Sequence, residues 1–113
     1  MAILNVDLGS NSDFTIDESN ADASGGNIVN ITALGDSTLT IDGVDVTINN
    51  IANISVGSEA TFSVVNGGTL NLDQGLLAVN AITSTTFNVG DDSTINLDAS
   101  EIDLGALNTI LNG

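Results

Sequence analysis

Ile54-Ser55-Val56-Gly57-Ser58-Glu59-Ala60-Thr61-Phe62-Ser63-Val64 set above Phe87-Asn88-Val89-Gly90-Asp91-Asp92-Ser93-Thr94-Ile95-Asn96-Leu97 matches at apolar, polar and glycine positions throughout. The shared phrase is an apolar residue, a glycine-containing turn, then Thr-apolar-polar-apolar. Shorter versions occur at Leu34-Gly35 to Ile41, at Val65-Asn66-Gly67-Gly68 to Leu72 and, more loosely, at Leu8-Gly9 to Ile16. Glycines 35, 57, 67 and 90 open equivalent turns, and their steps of 22, 10 and 23 residues suggest coils of a little over twenty residues with one partial coil. A strand-turn unit of this kind cannot bury its apolar face alone, so recurrence points to a stacked solenoid.

Period-two alternation supports strands throughout the chain. Leu4-Val6-Leu8, Phe14-Ile16, Ile28-(Val29)-Ile31, Leu39-Ile41, Val44-Val46-Ile48, Ile54-Val56, Phe62-Val64, Leu70-Leu72, Phe87-Val89 and Ile95-Leu97 each place apolar members on one face. The expected fold class is all-β, with a parallel β-helix or solenoid body. An antiparallel β-sandwich or small barrel competes with it. Asp42-Gly43 as a type I′ turn would set Ile41 opposite Val44 and Leu39 opposite Val46, and a loop at Asn66-Gly67-Gly68 would pair Val64 with Leu70 and Phe62 with Leu72. The 33-residue match favours the solenoid, because hairpins alone do not require the phrase to recur with its glycine.

Four segments are expected. Residues 1–16 read as an N-terminal hairpin-like β arm. Residues 17–27, Asp-Glu-Ser-Asn-Ala-Asp-Ala-Ser-Gly-Gly-Asn, break the alternation and read as a flexible linker. Residues 28–99 form the body. In residues 100–113, Ser100-Glu101-Ile102-Asp103 resembles a capping box before Leu104, Leu107 and Leu111 at helical spacing, which predicts a short C-terminal helix making cap or oligomer contacts.

Charge narrows the function. The chain has 15 Asp and Glu and no Lys, Arg or His, a formal charge of −15. Phosphate backbones are bound by basic side chains that displace counterions, so nucleic acid is excluded as a partner, and anionic membranes repel the chain as well. Without His, Cys, Lys or Tyr the usual general bases, activated nucleophiles and Schiff-base formers are missing, and no enzyme activity is expected. The 42% of apolar residues marks a folded chain, yet three aromatics at this length leave a thin core that oligomerisation would help. No cysteine means no disulfide framework or thiolate metal site. The opening Met1-Ala2-Ile3-Leu4 has no basic region or long apolar run, so the expected place of synthesis is a cytoplasm.

Asn20-x-Asp22-x-Ser24-Gly25 resembles the opening of a calcium loop, but the closing twelfth position is Ile31, so Asn20, Asp22 and Ser24 are weak metal candidates beside a solvated-linker reading. No cofactor is expected beyond divalent cations that screen the charge non-specifically. The pairs Thr38/Thr40, Thr47/Asn49, Thr61/Ser63, Thr69/Asn71 and Thr94/Asn96 share a strand face, and stacked they resemble the ice-binding faces of solenoid antifreeze proteins. Threonine is common on any half-exposed strand, and asparagine ladders are general in β-helices.

The run Val56-Gly57 to Leu72 resembles the repeats of β-helical adhesins and of trimeric bacteriophage surface proteins. The division into arm, linker, β-rich body and small end element looks most like a phage capsid decoration, or cement, protein. That resemblance implies a homotrimer seated on the major capsid protein at the virion surface, made in the host cytoplasm, with a structural role. Leu4, Val6, Leu8, Phe14 and Ile16 are then the candidate capsid-docking residues, and any further attachment is apolar or aimed at basic lattice patches. A secreted β-solenoid adhesin and an ice-binding protein are the alternatives.

Overall fold

The structure, a computed structural model, describes residues 1–53, 55, 58–72, 82–97 and 108–112. Among the described residues ten strands run in chain order: β1 (Ile3–Leu8), β2 (Asp13–Ile16), β3 (Gly26–Leu34), β4 (Ser37–Asp42), β5 (Asp45–Ile51), β6 (Ser58–Val65), β7 (Thr69–Leu72), β8 (Ile82–Val89), β9 (Thr94–Leu97) and β10 (Asn108–Asn112). Odd strands form one sheet and even strands the other, each in chain order. Every neighbouring pair is parallel. The chain therefore crosses from sheet to sheet at each corner and returns one rung higher, as a β-solenoid.

The core consists of in-register columns. Phe14, Leu39, Phe62 and Phe87 align through the even sheet, with Ile16, Ile41, Val64 and Val89 beside them. Leu4, Val29, Ile48 and Leu72 align through the odd sheet. The Phe62 and Phe87 rings stack with centroids 5.6 Å apart and planes at 18°. Such a pair is worth about 0.5–1.5 kcal/mol beyond its burial. Because side chains alternate between faces, the same register turns the intervening Thr, Ser and Asn outward.

The coil period explains the repeat. Phe62 lies beside Phe87, 25 residues on. The 33-residue match instead equates Thr61–Val64 of β6 with Thr94–Leu97 of β9, which lie in different sheets, so it records a shared corner-then-strand phrase. The hairpin alternative is not realised. Leu39 pairs with Phe14 and Phe62, while Val46 pairs with Asn27 and Leu70 in the other sheet. Gly43, at φ 71°, therefore turns a corner between sheets.

Residues 1–16 are not a separate arm. They form the first coil, in which β1 pairs with β3 and β2 with β4. One corner is a close backbone crossing, where a Cβ on Gly35 would run into the carbonyl oxygen of Gly9. Residues 17–25 are likewise no free linker. The carbonyl of Ser12 accepts the Thr38 N–H from β4. By strand alternation the Thr15 carbonyl points the other way, to the open edge of the sheet. Asn20 Nδ2 donates to it at 2.8 Å and Ala21 packs against the core. The segment thus works as an end cap that covers an edge strand, and Val6, Leu8 and Ile16 beneath it are 2%, 1% and 0% exposed.

Asn27 ties this cap to the coils. Its side chain is buried, with Oδ1 accepting the N–H groups of Ala2 and Asp22 and Nδ2 donating to the carbonyls of Asp22, Gly25 and Asp45. At the other end, the expected C-terminal helix is corrected over its last turn. Leu111 belongs to β10, which pairs in parallel with β8, Leu111 beside Phe87. The backbone of another strand offered that segment a ladder that an isolated short helix containing Gly105 lacks. Leu104 and Leu107 lie outside the described residues.

Candidate functional site

Where the even strands turn into the odd ones, short linkers place polar residues on successive rungs. Asp17 and Asp42 directly follow the last inward residues Ile16 and Ile41 of their strands, and Asn66 and Asp91 stand two positions after Val64 and Val89. The turns use left-handed backbone at Gly43, Asn66, Gly67 and Asp92, a conformation that Gly, Asn and Asp tolerate best. Asn66 Nδ2 donates to Asp42 Oδ1 at 2.7 Å, and the Gly67 N–H donates to Ser93 Oγ at 3.2 Å. Asp17, Glu18, Ser19, Asp42, Gly43 and Asn66 line an open cleft of about 490 Å³ on this corner. The Ser19 hydroxyl and backbone N–H, both donating to Asp17, hold its carboxyl below the ordinary value of 3.8.

The opposite corner carries a second cleft of about 360 Å³, lined among others by Asp13, Asp36, Glu59 and Thr61. There Asp36 Oδ1 accepts the Glu59 N–H at 2.7 Å, and the buried Ser37 hydroxyl donates to the Leu8 carbonyl. Each corner is an acidic rim facing solvent. Among the described residues no three His, Cys, Asp or Glu side chains are placed to hold a metal ion.

The candidate calcium-loop residues serve the cap. Asn20 Oδ1 accepts the Asp17 N–H, and Asp22 Oδ1 accepts both the Ser24 N–H and hydroxyl. Asp22 Oδ2 receives the Met1 ammonium at 2.6 Å, the one ion pair among the described residues. That hydrogen bond is the main reason its carboxyl falls from 3.8 to about 2, with the Ser24 donors adding to it. The three oxygens are thus engaged with the chain's own donors.

Between the rims lie two flat faces. On the even sheet Asp13, Thr38, Thr61 and Thr86 form one column and Thr15, Thr40, Ser63 and Asn88 another. On the odd sheet Thr47, Asn71 and Asn96 align, with Asn96 Nδ2 donating to Asn71 Oδ1 at 2.7 Å. The sequence pairs therefore divide: Thr38/Thr40 and Thr61/Ser63 on one side, Thr47/Asn49, Thr69/Asn71 and Thr94/Asn96 on the other. Thr86 and Asn88 belong to the first array and were missed, because in Thr85-Thr86-Phe87-Asn88 two consecutive threonines hide which one faces out.

The candidate docking residues are mostly core. Val6, Leu8 and Ile16 are buried, and Leu4 and Phe14 are half-buried against the same cluster, so none presents a free apolar surface. The exposed large hydrophobic side chains among the described residues are Met1 and Ile3. Comparison with protein-family models, with curated proteins and with solved structures gave no match to this chain.

Proposed function

We propose that the chain is a non-enzymatic structural protein that decorates a phage capsid as a homotrimer. The observation that carries this reading is the unbroken parallel stacking of coils around a filled apolar core, with polar faces and acidic rims outside. Such a rod supports itself and needs no chemistry to do its work. Its lack of Lys and Arg leaves trypsin-like proteases nothing to cut, and its charge discourages particle clumping. With Val6, Leu8 and Ile16 buried, attachment passes from the apolar arm to the carboxylate rims, which suit basic patches on the capsid lattice.

An antibody against the chain should label the surface of intact phage particles purified from lysates of the cells that express it. Light scattering of the purified chain should give three times 11.4 kDa. Label confined to a cell envelope would move the assignment to an adhesin, and a monomer would remove the trimer. A second reading, binding to ice, is favoured by the hydroxyl and amide columns Thr38-Thr61-Thr86, which starts from Asp13, and Thr15-Thr40-Ser63-Asn88. Thermal hysteresis in the purified chain, abolished by Thr61→Lys, would support it; freezing behaviour like that of buffer would end it.

A further inference from the structure

We propose that Asn66–Gly67 is a masked self-modification site, kept unreactive by the folded corner and converted to aspartate or isoaspartate when that corner opens. Glycine after asparagine leaves the approach of its backbone nitrogen to the asparagine side chain unhindered, since it has no Cβ. In the reaction the Gly67 nitrogen bonds to Asn66 Cγ, the Cγ–Nδ2 bond breaks, and Nδ2 departs as ammonia with the proton from Gly67. Water then opens the resulting five-membered imide at either carbonyl.

The folded corner opposes the first step. Asn66 has φ 55°, in the left-handed region. That conformation brings Cβ beside the residue's own carbonyl oxygen. The Gly67 nitrogen lies on the opposite side of the same carbonyl carbon, away from Cγ, so the ring closes only after Asn66 rotates out of this state. Three hydrogen bonds resist the rotation: Asn66 Nδ2 to Asp42 Oδ1 at 2.7 Å, the Gly67 N–H to Ser93 Oγ at 3.2 Å and the Gly68 N–H to the Val65 carbonyl at 3.1 Å. The first two reach residues 24 and 26 positions away in the chain, on the coils to either side. The reactive state therefore appears only when coil stacking at this corner loosens.

The product cannot restore the corner. Asn66 is the neutral residue between Asp42 and Asp91 on this corner, and conversion replaces the amide donor 2.7 Å from Asp42 Oδ1 with a carboxylate oxygen facing a second carboxylate. The chain has no Lys, Arg or His to compensate the added charge. Modification is thus a one-way record of corner opening.

The full chain, incubated at mildly alkaline pH natively and in urea, is digested with pepsin, and residue 66 is followed by mass spectrometry separately from Asn112–Gly113. The native rate should be at least about tenfold below the rate in urea, as expected for a site that reacts only through local opening. Ser93→Ala, with its fold checked by circular dichroism, should raise the native rate several-fold, the scale of one net hydrogen bond. As a second arm, N66D should lower the melting temperature at low salt and D42N should restore it in the double variant. Equal native and unfolded rates, or an N66D chain as stable as the parent, would overturn the proposal.

Discussion

Two side chains set the behaviour of the first coil. Asn27 satisfies five backbone groups from a buried position, so Asn27→Ala leaves these part-buried donors and acceptors without their partner. An orphaned buried group costs about 1–3 kcal/mol, and the expected loss of about 2 kcal/mol or more is measured by urea unfolding followed in the far ultraviolet, the chain having no Trp or Tyr. Asp22 is the pH-dependent member. Its folded pKa, about 2, lies below the ordinary 3.8, so its contribution is fully present above 3.8 and is lost as pH falls toward 2. The melting-temperature gap between the parent and Asp22→Asn should therefore close across that window. A gap that persists at pH 2 would contradict the role given to the carboxylate. Asp22 stood out in the sequence only as a weak metal candidate, and Asn27 not at all, because Asn27 ends a polar run that reads as linker and its partners lie up to 25 residues away.

At the scale of elements, the columns carry the stability. Phe62→Ala and Phe87→Ala should each cost about 3–5 kcal/mol, as large aromatic truncations in cores do. The double variant should fall short of their sum by about 0.5–1.5 kcal/mol, since the stack is lost only once. Strict additivity would mean that the rings do not touch. The strands themselves were legible: alternation located β1, β2, β4, β5, β6, β7, β8 and β9, because one face of each is filled by Leu, Ile, Val or Phe. What failed was long-range. The same glycine phrase serves both corners of a coil, so the sequence match skipped from the even sheet to the odd one. Helical spacing at Leu111 lost to a ladder on β8 that no local pattern reveals. The candidate docking residues lie mostly in the core for a related reason, since apolar alternation marks a buried face without saying whether this chain or another one buries it.

For the whole molecule, fifteen carboxylates without a basic side chain make stability depend on screening. Raising salt from about 0.01 M to about 0.15 M shortens the screening length from ~30 Å to ~8 Å, and the melting temperature should rise with it. Sodium and calcium at equal ionic strength should differ little if screening is the cause, and a transition that requires calcium would point to a specific site instead. The proposed structural role rests on parallel coil stacking. The most direct test is a pair of double-cysteine variants in a chain that has no cysteine of its own. Thr38 and Thr61 are register partners on adjacent parallel strands, within reach of a disulfide, whereas a hairpin through Asp42-Gly43 would join Thr38 to Thr47. The solenoid predicts that mild oxidation closes an intrachain 38–61 disulfide in the native chain and leaves the 38–47 pair as free thiols. Closure of 38–47 with 38–61 unreactive would contradict it.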